Sequence, residues 1–263
     1  MDPAGLIGLV VALGAIFGAL LLEGANPMSI LLPAPLLLVW VGTVGVGIAG
    51  HTLADTIGAF KAVPRALRSK APDPAATIDT LVRLADRARR EGLLALEEDA
   101  RDVEDPFLRA GLQSAIDGTD PEDLRRLLED KIASKRTGDR VHAKYFQDLG
   151  GYAPTIGIIG TVISLVHVLE NLSDPESLGH SIAAAFVATL WGILSANVVW
   201  LPIGTRIRRI SDLECTQMEV TLEGLLAVQS GANPRLVGEQ LRSLLPGDGA
   251  ERAAKAEAQA EAA

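Results

Sequence analysis

Thr155 and Thr189 are the residues best set to do chemistry, because each lies in an apolar stretch, residues 154–169 and 181–201, that holds no Lys, Arg, Asp or Glu. A hydroxyl in such a place either bonds its own backbone one turn earlier or lines a polar path, and the residues alone favour neither. Carboxylates inside a membrane are the usual ion carriers of proton-driven machines. Here Glu23, Asp148 and Glu170 sit only at the edges of apolar stretches, and Asp55 lies just past one. If this chain conducts ions, the acid must come from another chain. The sequence then reads as a half-channel, with hydroxyls and small faces awaiting a carboxylate.

Other chemistry finds no support. There is no nucleotide-binding loop, zinc-ligand spacing or nucleophile elbow, and the glycine-rich stretches lie inside apolar runs, where they cannot cradle phosphate. His51, His142, His167 and His180 are scattered, with no pair at metal-ligand spacing on one face. His167 reads as a polar packing or interface group rather than a proton relay. The expectation is a protein that is not an enzyme, with no catalytic residues, no metal and no cofactor.

The elements that must position the threonines follow from spacing. Ala153, Gly157, Gly160 and Ser164 fall on one helix face, and so do Ala185, Thr189, Gly192 and Ala196. Small faces let helix backbones approach closely in a membrane. Gly157, Gly160, Ser164, Ala185, Gly192 and Ala196 are therefore candidates for packing a partner helix, with ordinary tight helix contact as the alternative.

Composition agrees. Hydrophobic residues make up 48% and charged residues 22%, so membrane spans and polar regions must be segregated along the chain. One cysteine, Cys215, excludes an internal disulfide, and no basic–aromatic patch suggests nucleic acid. The apolar run 4–22 is long for a signal peptide and lacks preceding basic residues, so it reads as a first span. Pro27, Pro33 and Pro35 are expected to discourage helix until about Leu36, within a second apolar run at 29–53. Spans at 149–170 and 181–203 complete four. The first basic residue is Lys61; the short loops 23–28 and 171–180 contain none. Basic residues mark the cytoplasmic side, so both termini and the segment 54–148 are expected inside. The fold class is thus an all-α integral membrane protein. It has four transmembrane helices, a large helical cytoplasmic domain between spans two and three, and a helical cytoplasmic region at 204–245.

Within 54–148, Asp73-Pro74 opens a helix that Gly92 interrupts, and Pro106 opens a short one closed by Asp117-Gly118. From Asp120-Pro121 a helix runs on towards Phe146 and into the third span. After Pro202, apolar positions recur at helical spacing up to the break at Gly231–Pro234, and an amphipathic piece follows. The tail 246–263 has no apolar face and is expected to be loose or disordered. The charge run from Arg89 to Glu98 is either a solvated face or a docking surface for a soluble partner.

At GGYAPTIGIIGT, LG-x(2)-IAAAFVATLWG and SAN-x(4)-P, the chain resembles the MotA/PomA family of flagellar stator proteins, related to the MotA/TolQ/ExbB proton channels. RREGLLALEE, DPFLRAGLQ and GANPRLV fall in the family's order, and the likeness runs to about residue 246. The resemblance implies a ring of five copies in the bacterial inner membrane around two copies of MotB, a single-span protein. MotB supplies the membrane aspartate and a peptidoglycan-gripping domain, and the ring turns the rotor through FliG. It further implies that Thr155 and Thr189 face the ion path and that Pro154 and Pro234 are functional prolines. Arg89 and Glu97, or their neighbours Arg90 and Glu98, would pair with rotor charges. The alternative is an ExbB/TolQ-type envelope energiser acting through a TonB/TolA-like partner; four spans and RREGLLALEE speak against it.

Overall fold

Helix starts in this chain follow one local rule. The structure, a computed structural model, describes residues 4–24, 26–68, 72–172 and 175–245. At Asp73-Pro74, Asp105-Pro106 and Asn233-Pro234 the side-chain oxygen accepts from backbone N–H groups of the first turn, and proline fills the first helical position. Asp120 likewise accepts from the Glu122 N–H at 2.9 Å ahead of Pro121. Proline suits that position because its missing N–H would have had no helical partner and its φ is preset.

The described elements are all helical. They are α1 (Ala4–Leu22), a 3-10 turn (Pro27–Ile30), α2 (Pro33–Gly50), α3 (Leu53–Arg68), α4 (Pro74–Glu91), a second 3-10 turn (Leu93–Leu96), α5 (Glu97–Asp102), α6 (Pro106–Ile116), α7 (Pro121–Glu170), α8 (Pro175–Leu194), a π-helical segment (Ser195–Trp200), α9 (Leu201–Gln229) and α10 (Pro234–Ser243). Among the described residues three helices are long and apolar enough to cross a membrane: Pro33–Gly50, Pro121–Glu170 and Leu178–Gln229; Ile7–Leu22 is a shorter apolar helix. The expectation for the tail falls on 246–263, outside the described residues.

Two expectations are corrected. Helix begins at Pro33, not at about Leu36, because Pro33 and Pro35 occupy the first turn, where no helical N–H bond is lost. The second apolar helix stops at Gly50, with His51 extended at its C-cap, and α3 starts afresh at Leu53.

The chain divides into two compact units, Met1–Lys70 with Gly138–Ile210, and Ala71–Thr137 with Ser211–Ala263. In the first, α2 packs on α8 and α1 on the π segment. An aromatic cluster fills its interior: Trp40 meets Trp200 edge-on at 5.2 Å, and Trp200 stacks on Phe146 at 6.3 Å. Asp139 is buried and takes two 2.8 Å hydrogen bonds from Arg65, which joins α3 to α7. The π segment ends two residues before Pro202, which has no N–H to give the Val198 carbonyl.

In the second unit, Ile78 and Leu81 of α4, Leu112 of α6, Leu124 and Leu128 of α7, Leu225 of α9 and Leu241 of α10 form one buried core. Ion pairs stitch its surface, among them Arg125–Glu223 at 2.7 Å and Arg136–Glu219 at 2.6 Å.

Candidate functional site

The seam between α7 and α8 in the first unit is built on backbone contact. A Cβ at Gly157 would lie 2.9 Å from the Ala188 carbonyl oxygen and 3.2 Å from the Gly192 Cα, and one at Gly192 would lie 2.8 Å from the Ala153 carbonyl oxygen. Gly160 faces the Ala188 methyl and Leu38. Ala153 and Ala188 lie at these contacts, and Ala185 and Ala196 are buried as well. The space beside Gly157, Gly160 and Gly192 is therefore filled by this chain's own helices, the tight-contact alternative that their spacing left open. Ser164 is half-buried further along α7.

The two threonines differ in what they do. Thr155 is exposed, and its hydroxyl donates to the Tyr152 carbonyl at 2.7 Å, so it is committed to its own backbone. Thr189 is half-buried beside Gly157, and its hydroxyl has no hydrogen-bond partner among the described residues. Pro154 lies inside α7, where its missing N–H deprives the Gly150 carbonyl of its helical donor. The nearest acid along α7, Asp148, is already engaged: Lys144 donates to it at 2.7 Å and His51 Nε2 lies 3.4 Å away. That hydrogen bond holds the Lys144 ammonium above its ordinary pKa. His167 faces outward beside Glu170 rather than packing inside, and Asn171 donates to its carbonyl at 2.9 Å.

Outward-facing apolar side chains line the outer faces of α7 and α8 in this unit. Ile158, Ile159, Val162, Ile163 and Val166 of α7 and Phe186 of α8 are exposed. They suit lipid or neighbouring membrane helices.

The second unit holds the charged candidates around the turn between α4 and α5. Gly92 has φ +85°, a conformation that side-chain-bearing residues rarely adopt, and it ends α4 with its N–H on the Ala88 carbonyl at 2.9 Å. Arg90 pairs with Asp86 at 2.6 Å, Glu97 with Arg101 at 3.0 Å, and Glu98 with Arg87 at 3.3 Å. Arg89 is exposed and makes no ion pair among the described residues. Arg87 is the hub that the sequence did not single out: it also meets Glu91 at 3.2 Å and Asp99 at 2.9 Å. Hydrogen bonds to Glu91 and Glu98 raise the pKa of its guanidinium. Pro234 opens α10 beneath the Asn233 cap, and α10 packs on α4.

Among the described residues no group of three or more His, Cys, Asp or Glu could hold a metal ion.

Known proteins match over most of the chain. The family model described as "Motility protein A N-terminal" matches residues 6–92, and "MotA/TolQ/ExbB proton channel family" matches residues 99–220. The chain is 35% identical to Motility protein A of Bacillus subtilis over 94% of its own length and 92% of that protein's. The chain belongs to the MotA family. Its fold is similar to that of two solved MotAB structures. One, from C. jejuni, has a TM-score of 0.89 at 27% identity, covering 94% of this chain and 97% of that one. The other, the flagellar MotAB stator complex from Bacillus subtilis, has a TM-score of 0.86 at 32% identity, with 92% and 96% covered. The two MotA-family matches divide the candidates between them: the N-terminal match takes in Arg89 and Arg90, and the channel match takes in Pro154, Thr155 and Thr189. Glu97 and Glu98 fall between the two, and Pro234 lies beyond both.

Proposed function

We propose that this chain is the ion-conducting stator subunit of a bacterial flagellar motor, coupling inward proton or sodium flow to torque. The observation that carries this reading is the α7–α8 seam: a half-buried, uncommitted Thr189 hydroxyl where the charge-free apolar stretches 154–169 and 181–201 meet. Such a seam has a polar group for an ion but no acid of its own. A MotB-like single-span partner supplies the acid, and FliG receives the torque.

In this reading four helices span the cytoplasmic membrane, with both termini and residues 54–148 inside, and five copies surround two of the partner. Protonating the partner's carboxylate removes a charge whose burial is costly, and its helix then slips past the next threonine face. Loss of the proton on the inner side resets the attraction. Pro154, by freeing a carbonyl of α7, eases each step. Arg89 and Glu97, with Arg90 and Glu98 beside them, dock the rotor. The envelope-energiser alternative is not favoured, since the N-terminal match is to motility protein A.

The test is deletion of the gene in cells that still assemble flagella and have no second stator set. Paralysed cells with intact filaments, rescued by the wild-type gene, are expected. Failure of Arg89→Glu with Glu97→Lys to rescue places docking at those charges. Normal swimming of the deletion strain rejects the motor.

A further inference from the structure

The 3-10 turn that follows Gly92 divides its leucines unequally. Leu96 is fully buried and Leu93 packs against the core of the second unit, whereas Leu94 is 76% exposed. No other large apolar side chain described in that unit is as exposed; Leu236, Leu244 and Leu127 follow. This is not a frayed segment. Gly92 fixes the turn through its positive φ, Ala95 donates to the Gly92 carbonyl at 3.3 Å, and Arg87 ties the end of α4 to Glu98 and Asp99 of α5. A leucine is thus held outward on a braced turn.

Charges of both signs flank it. Arg89 and Arg90 precede it in the chain, and Glu97 and Glu98 follow it. Three of those four are already satisfied within the chain, by Asp86, Arg101 and Arg87. Exposed ion pairs contribute little net affinity, though they steer encounter and set orientation. Binding energy at interfaces concentrates in an apolar anchor that enters a pocket while a polar rim keeps water out. The acidic groups Glu91, Glu97, Glu98 and Asp99 around the turn make an anionic lipid surface a poor match.

We infer that Leu94 is the apolar anchor of the docking surface and that its partner is a soluble protein offering an apolar pocket rimmed by charges of both signs. This rests on the docking role proposed above for Arg89 and Glu97. Leu94 carries the affinity, and the charges carry approach and alignment.

The full-length chain, co-assembled with its MotB-like partner, is titrated with purified FliG at low and at high salt. Leu94→Ala is expected to weaken binding about tenfold or more at both salt concentrations, and Leu94→Gln, similar in size but polar, to do the same. Leu94→Met should bind like wild type, as should Leu127→Ala, which trims an exposed leucine elsewhere in the unit. Arg89→Glu with Glu97→Lys should weaken binding chiefly at low salt. If Leu94→Ala and Leu94→Gln bind normally while the charge reversal fails, the anchor is rejected and the docking surface stands. If none of the variants alters binding, the docking reading falls and the anchor with it. Because Cys215 is buried, a Leu94→Cys thiol can be cross-linked selectively. Efficient cross-linking between copies of this chain would make a second copy the occupant and overturn the proposal.

Discussion

A hydroxyl without a partner and a hydroxyl already bonded behave differently under substitution. Thr189→Leu is expected to abolish torque while the complex still assembles, because it replaces an uncommitted hydroxyl with bulk that a moving helix must pass; Thr189→Ser should keep much of the rotation. Swimming speed, set beside co-purification with the partner, separates the two effects. Normal motility of Thr189→Leu would remove it from the path. Thr155→Ser, which preserves the 2.7 Å bond to Tyr152, should be milder than Thr155→Val. At the docking surface Arg90 is held by Asp86 and Arg89 is not, so Arg89→Glu should reduce torque more than Arg90→Glu in tethered-cell rotation. Equal losses would mean that the Asp86 pair is too weak to matter, as exposed pairs often are. In the first unit, Asp139→Ala removes the buried acceptor of two Arg65 hydrogen bonds. The guanidinium left behind is half in water, so the loss in thermal unfolding should be about 2 kcal/mol, below that of breaking a fully buried pair.

Between helices, distance decides. The Gly192 Cα and the Ala153 carbonyl leave no room for a side chain, so Gly192→Val must push α7 and α8 apart. Overpacking of this kind costs about 1–3 kcal/mol, which should appear as a lower melting temperature of the detergent-solubilised complex and reduced recovery with the partner. Unchanged melting would show that the seam yields more readily than its contacts suggest. Much at this level was legible in the sequence. Asp73-Pro74, Asp120-Pro121 and the Gly92 break announce helix boundaries because capping is a local interaction written in adjacent residues. The small stripes on α7 and α8 were equally legible as faces. What stood opposite them was not, because periodicity gives a direction and says nothing of the neighbour; here the neighbours are each other. Pro33 and Pro35 misled because proline breaks a helix interior yet suits a first turn, and the choice depends on where the turn begins. The Arg87 hub was hidden for a related reason: its partners Glu98 and Asp99 belong to another helix, beyond Gly92. Pro202 removes a helical donor near the π segment, but a proline alone does not say whether the helix kinks, ends or widens there.

Over the whole molecule, the distribution of charge supports the proposed topology. Single cysteines placed in 23–28 or 171–180 should react with an impermeant maleimide added outside intact spheroplasts, while those in 72–137 should react only after permeabilisation; the buried Cys215 keeps the background low. Labelling of 72–137 from outside would invert the assignment. The π segment at Ser195–Trp200 has a consequence of another kind. A ladder closed at five residues instead of four carries one residue more than the α-helix around it, so it stands in the chain as an insertion that the helix absorbed rather than expelled into a loop. Five residues of a π turn sweep about the same arc as four of an α-helix, so removing one residue between 195 and 200 would restore ordinary α-helix and leave the side chains that follow on α9 in nearly the same phase. A lineage could lose that residue without rewriting the apolar stripe of α9; what it would lose is the widened turn at Ser195–Trp200 itself.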